Sequence, residues 1–305
     1  MPLKDEFWGT DKYLLDPELA DAVAIARTLG LPLLLEGEPG TGKTRLAEAI
    51  ATAMKTRLYE FPVTSESKIE QLVVDFDSIQ RLTDAQATIL NVQLQQAGLD
   101  QRLDLGGRSV DQLRDYVKLG PLARAYQDPG SVLLIDEIDK GKREFSNSLL
   151  YVFSEKRIVI PYTGEVVEAP VENMPVIVIT SNREQALPSA FLRRCIYHFI
   201  AFPTPERLRA IVRLHFPAAD DQLVAAAVSI FYQLRELKLD KKPATAEMLN
   251  WFAYLQAKGI APAELDRLPG SQTLIKSHAD LGILRDIQQN GVASLLRPKS
   301  SRGVN

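Results

Sequence analysis

Eight consecutive residues, Gly37-Glu38-Pro39-Gly40-Thr41-Gly42-Lys43-Thr44, carry the spacing G-x-x-x-x-G-K-T. That spacing suits a loop that wraps a phosphate. Gly37, Gly40 and Gly42 permit turns that a Cβ would resist, so successive N–H groups can face one anion. Lys43 then reaches β- and γ-phosphates, and the Thr44 hydroxyl is a ligand for Mg²⁺. With Arg45, the run Gly37 to Arg45 forms the candidate phosphate contact. A second set lies downstream. Ser131 to Asp139 reads S-V-L-L-I-D-E-I-D, so Asp136 and Glu137 end an apolar strand. One carboxylate there can hold Mg²⁺ and its neighbour can polarise a water. Thr180-Ser181-Asn182 ends another apolar strand, and an amide at that edge can orient the same water. Taken alone, Asn182 suits a turn equally well.

The elements that must position these groups are legible around them. Leu31 to Leu35 is a strand-length apolar run, with Pro32 confining its start to an edge or a strand end. Thr44 to Lys55 carries Leu46, Ala47, Ile50 and Met54 at helical spacing. A strand, a glycine loop and a helix N-terminus together attract phosphate, through unpaired N–H groups and the helix dipole. Upstream, Asp16-Pro17-Glu18 starts a helix with Leu19, Ala22, Val23 and Ala26 on one face, and Gly30 stops it. Leu58 to Val63 reads as a strand. Val132 to Ile135 and Val176 to Ile179 are continuous apolar runs, as strands covered on both faces require.

Residues 64–119 are long for a connection in a compact α/β core and read as an insertion with its own structure. Within it, Asp84 to Gln96 looks helical, Gly106-Gly107 is a turn, and Val110, Leu113 and Val117 suggest a short helix. Gly120-Pro121 opens a helix with Leu122, Ala125 and Tyr126. Another covers Glu144 to Ser154. Arg157 to Ile160 and Glu165 to Glu168 flank Tyr162-Thr163-Gly164 as a hairpin. Leu187 to Arg194 is a short helix ending in Arg193 and Arg194, which by themselves read as a solvated cationic end. After a last strand over 196–202, Pro203-Thr204-Pro205 marks a boundary. Beyond it Leu223, Ala227, Ile230, Phe231, Leu234 and Leu237 form a helical stripe. Pro243-Ala244-Thr245 caps a helix running to about Lys258, and a shorter helix with Leu281, Leu284 and Ile287 is expected after it. From Arg297 the chain is polar and reads as a disordered tail.

The 305 residues are 46% apolar and 25% charged, with a formal net charge of −3. That balance gives no overall pull toward nucleic acid or an anionic membrane. No apolar run approaches the roughly 20 residues of a membrane span, and the first eight residues lack the apolar core of a signal peptide. Cys195 is the single cysteine, which fits a reducing, cytoplasmic setting and a small apolar residue more than a nucleophile. His198, His215 and His278 are scattered and suggest no metal site.

The ordered set G-E-P-G-T-G-K-T, L-L-I-D-E-I-D, I-T-S-N and F-L-R-R resembles the AAA+ ATPases, specifically the MoxR-like group and its dynein-related relatives. The resemblance spans roughly Asp16 to Lys258. It implies an α/β fold with a doubly wound parallel sheet, the P-loop NTPase core, over 1–203, followed by a small helical lid over 204–296 and the tail 297–305. It implies ATP and Mg²⁺ as ligands, with Lys43, Thr44 and Asp136 holding phosphate and metal. Glu137 would activate water, Asn182 would be the first sensor, and Arg194, or Arg193, would be a finger inserted into a neighbour's site. It further implies a homo-oligomer, usually a hexameric ring, that remodels a client protein, often one with a von Willebrand factor A domain. The chain departs from many such proteins at Ala246, where a second-sensor arginine would fall. Lys241 and Lys242 nearby read as solvated loop charges. Two other functions stay open on these residues: a nucleic-acid motor or loader, and a nucleotide-gated scaffold with little turnover.

Overall fold

The computed structural model describes residues 9–10, 13–169 and 174–296. The tail expected from Arg297 lies outside them. The chain divides into two compact units: one gathers Asp16–Glu36 and Ala47–Phe199, the other gathers Gly37–Leu46 with the described residues of 8–15 and 200–305.

In chain order, β1 (Gly9–Thr10) and β2 (Tyr13–Leu14) form a small antiparallel pair. Helix α1 (Pro17–Leu29) starts where Asp16 accepts the Leu19 N–H at 2.9 Å and stops at Gly30, whose φ of 59° is left-handed. Pro17 adds a fixed φ at a position that has no helical N–H bond to lose. Strand β3 (Leu33–Gly37), helix α2 (Lys43–Met54) and strand β4 (Leu58–Pro62) follow. Helix α3 (Ile69–Val73), β5 (Val74–Phe76), α4 (Ser78–Gln96) and β6 (Val117–Leu119) occupy the expected insertion. Then come α5 (Pro121–Gln127), β7 (Val132–Asp136), α6 (Arg143–Glu155), the β8–β9 hairpin (Arg157–Val159 and Val166–Glu168), β10 (Val176–Ser181), α7 (Ser189–Leu192) and β11 (Ile196–Ile200).

The central sheet has the order β11-β3-β10-β7-β4, with β3, β10, β7 and β4 paired in parallel. This is the α/β architecture of a P-loop core. Leu34, Ile179, Ile135 and Phe61 share one row across the sheet and point into one apolar cluster with Leu122, Phe145 and Leu149. The alternate residues Leu33, Leu35, Leu134 and Val178 are also fully buried. Because successive side chains face opposite ways, both faces of the sheet are covered.

Two local expectations are corrected. Val117 lies on β6 rather than on a helix, because its backbone pairs with Phe76 of β5; only Leu113–Tyr116 forms a turn of 3₁₀ helix. Helix α4 begins six residues before Asp84, because Asp77 accepts the Gln80 N–H at 2.9 Å and caps an earlier start. Phe76 stacks on Tyr162 with ring centroids 4.2 Å apart.

The other unit carries α8 (Pro205–His215), α9 (Asp221–Glu236), α10 (Thr245–Lys258), α11 (Leu281–Asn290) and α12 (Val292–Leu296). Leu223, Ala227, Phe231 and Leu234 of α9 are buried against Leu208, Trp251, Phe252 and Ile287. These are the C-terminal helices expected of a lid. No helix among the described residues is long and apolar enough to cross a membrane.

Asp84 is buried on α4 and accepts bonds from Arg108 (2.7 Å), Tyr116 (2.9 Å) and Gln80 (2.8 Å). The Arg108 guanidinium, first among these donors, holds its carboxyl at about 2, below the ordinary 3.8. A carboxyl depressed in the folded state stabilises above its unfolded value and loses that contribution as pH falls through the folded one. Amide protection in α4 is therefore expected to fall between about pH 4 and pH 2. In Asp84→Asn that pH step should vanish; an unchanged step would show that another group governs it.

Candidate functional site

The candidate residues fall into two sets, one in each unit. In the first, β7 and β10 end side by side because Ile179 pairs with Ile135. The next residue on each strand is Thr180 and Asp136. The Thr180 hydroxyl donates to Asp136 Oδ1 at 2.6 Å and accepts the Glu137 N–H at 2.8 Å. Glu137 is turned out of the strand direction into left-handed backbone, φ 57° and ψ 52°. A residue with a Cβ occupies that region at a cost of about 1–2 kcal/mol, so the Thr180 bond helps to hold it there. Asn182 Nδ2 donates to Glu137 Oε1 at 2.9 Å, and Lys140 pairs with the other Glu137 oxygen. The Lys140 ammonium is shifted upward by that hydrogen bond. Thr180 thus links Asp136 to Glu137, and Asn182 bonds Glu137 directly.

Two anchors support this edge. The buried Asp139 accepts the N–H groups of Asn182 (3.1 Å) and Glu184 (2.8 Å), which fixes the turn that carries the Asn182 amide. Glu36, the residue before the glycine loop, accepts from Tyr197 at 3.0 Å and pairs with Arg183, which adopts a φ of 64° directly after Asn182. Arg183 also lies over the Phe199 ring, 5.7 Å from its centroid.

Arg193 and Arg194 follow α7 and are both exposed. Arg194 Nη1 donates to Ala190 O at 3.3 Å. The neighbouring Cys195 packs on the apolar cluster, and burial pushes its thiol up to about 12. At neutral pH it is protonated and a poor nucleophile.

In the second unit the glycine loop closes on itself. Lys43, only 6% exposed, donates its ammonium to Gly37 O and Glu38 O, both at 2.9 Å. The Thr41 hydroxyl donates to Glu38 O at 2.9 Å. Gly40 and Gly42 have φ of 73° and 94°, a backbone that side-chain-bearing residues rarely adopt. Glu38, Pro39 and Gly40 are exposed, while Thr44 is half-buried and Arg45 exposed at the start of α2. This loop concentrates a cation and turned backbone where α2 begins, a combination whose charge and donors suit an anion. Ala246 lies in the first turn of α10.

Thr180 and Asp139 lie inside the motif strings without a role read for them, and Lys140 and Arg183 lie just outside. Thr180 follows an apolar run, and its partner is 44 positions away in the chain. Lys140 lies three residues after Glu137, a local spacing that brings the two together.

Residues 32–195 match the model of the AAA domain, dynein-related subfamily. Among curated proteins the chain is similar to an uncharacterised protein of Staphylococcus epidermidis, 25% identical over 71% of this chain and 73% of that protein. An uncharacterised protein of Staphylococcus haemolyticus is 23% identical over 77% of this chain and 78% of its own length. One of Staphylococcus aureus is 24% identical over 67% and 68%.

Thr180→Val keeps the side-chain shape and removes one bond to Asp136 and one to the Glu137 N–H. Buried groups that lose a partner cost about 1–3 kcal/mol, so denaturant unfolding should report a loss of that size. Thr180→Ser should retain most of it. Equal midpoints for wild type and Thr180→Val would remove the bridging role.

Proposed function

Because the chain belongs to the dynein-related subfamily of AAA domain proteins, an ATPase family, we propose that it hydrolyses ATP and uses the cycle to remodel a partner protein. The observation that carries the reading is the chain of bonds Asp136–Thr180–Glu137–Asn182 at one sheet edge. It holds two carboxylates in different orientations, one fixed by a hydroxyl and the other presented to an amide, as metal support and water activation require.

The residues fit a nucleotide with its metal. Thr44 and Asp136 are hard oxygen donors of the kind Mg²⁺ takes. No group of three or more His, Cys, Asp or Glu among the described residues could hold a metal alone, so phosphate and water would complete the shell. Bound there, Mg²⁺ would offset charge on the phosphate oxygens. Lys43, with the loop N–H groups from Gly37 to Thr44, grips the β- and γ-phosphates. Glu137 takes a proton from the attacking water as its oxygen bonds to the γ-phosphorus, and the bond to the β–γ bridging oxygen breaks, leaving ADP. Asn182 holds Glu137 and that water in line. Arg194, with Arg193 as the alternative, stabilises the transferring group from a neighbouring copy, since both are exposed at the end of α7. Positioning and electrostatics carry most of such catalysis.

A finger supplied from outside the subunit implies a ring of copies, and the MoxR-like resemblance points to a hexamer. By the same resemblance the client class is a protein complex, often one in which a component bears a von Willebrand factor A domain. The net charge of −3 gives no overall pull toward nucleic acid.

Glu137→Gln should bind ATP as wild type does and lose at least about 100-fold in phosphate release, the low end for a general base. Lys43→Ala should lose binding itself. Arg194→Ala should bind ATP but fall about 10³-fold or more in turnover, and wild-type specific activity should rise with protein concentration. Hydrolysis by Glu137→Gln at the wild-type rate would overturn the mechanism.

A further inference from the structure

The glycine loop contains a carboxylate, Glu38, directly before Pro39 and Gly40. A negative charge in a loop that grips a triphosphate opposes its own ligand. The structure places one cation against it. Arg235, at the end of α9, donates through Nη2 to Glu38 Oε2 at 2.7 Å. Its Nη1 donates to the Pro243 carbonyl, in the turn before α10. The guanidinium lies over the Phe202 ring, 3.5 Å from the centroid, and its side chain is 11% exposed. One planar group therefore serves three partners, a geometry that a lysine ammonium cannot reproduce. The loop and the helices also meet at Gly40, where an added Cβ would collide with the Ala244 Cβ.

Glu38 is a node of the loop. Its carbonyl accepts from Lys43 and Thr41, and its side chain is drawn away by Arg235. We propose that Arg235 is a positioning residue that neutralises and withdraws Glu38, so that the loop binds a nucleoside triphosphate more tightly when it is held to the helical part through this pair. The coupling between lid and nucleotide then runs through the protein's own Glu38. It needs no arginine at position 246. This inference rests on the reading of Gly37 to Thr44 as a nucleotide loop.

The test compares ATP binding to the full chain, by titration, for wild type, Arg235→Gln, Glu38→Gln, the double variant and Lys43→Ala. Arg235→Gln leaves Glu38 charged and unrestrained, so ATP should bind about tenfold more weakly, with the deficit shrinking as salt screens the repulsion. Adding Glu38→Gln removes the offending charge and should bring affinity back to within about threefold of wild type. A residue needed only for packing against Phe202 and Pro243 would not be rescued in this way. An Arg235→Gln variant that binds ATP like wild type, or a double variant as weak as Arg235→Gln, would overturn the proposal. Emission from Trp251, fully buried in α10, should be native-like in Arg235→Gln; if it is not, Arg235 is a folding residue and the proposal fails. If Lys43→Ala binds ATP normally, the nucleotide reading itself fails first.

Discussion

The parallel register of β3, β10 and β7 is the constraint on which the rest depends. Val178 is opposite both Leu33 and Leu134. One consequence is a row of apolar side chains that fills the core. The other is that three strands run out together, at Gly37, Asp136 and Ser181. A slip of one residue would turn Thr180 to the other face of the sheet and part it from Asp136. The site and the core are thus fixed by the same backbone bonds. Ligands in open parallel sheets bind outside the carboxyl ends for this reason: there the backbone has just stopped pairing and can be turned toward something else.

At that edge the structure holds a residue in a conformation that it would not choose alone. Glu137 is left-handed, as is Arg183 after Asn182. Each is tied by partners that over-determine it: the Thr180 hydroxyl on the Glu137 N–H, and Glu36 on the Arg183 guanidinium. Strain held by surrounding bonds is characteristic of functional segments. The same logic governs the glycine loop. Lys43 donates to the loop's own carbonyls, so its ammonium is aimed into the loop.

The helical unit has a core of its own, from Leu208 to Ile287. Yet residues Gly37–Leu46 group with it rather than with the sheet that precedes them in the chain. The Arg235–Glu38 pair gives that grouping chemical content. Arg235 stands on the last turn of α9, a helix whose apolar stripe is plain in the sequence, and its charge reads there as an ordinary helix-end cation.

The sequence by itself determined the family's ordered motifs, the alternation of strands and helices, and the positions of Lys43, Asp136, Glu137 and Asn182 at the ends of those elements. These are local facts. The glycine spacing, the apolar runs and the Asp16 cap are all decided within a few residues, where propensity and pattern act directly. What only the tertiary structure decided are pairings across the chain. Thr180 reads as a strand residue and becomes the bridge between the two carboxylates. Asp84 falls in a segment that looks helical, and only the fold shows that it is buried while Ile79 on the same helix is 80% exposed. Arg108 and Tyr116, 24 and 32 positions away, supply the bonds that let a carboxylate be buried. Arg235 and Glu38 are 197 positions apart. Nothing in a window of sequence measures that distance in space, and the free energy of each such pair exists only once the fold has closed the loop between them.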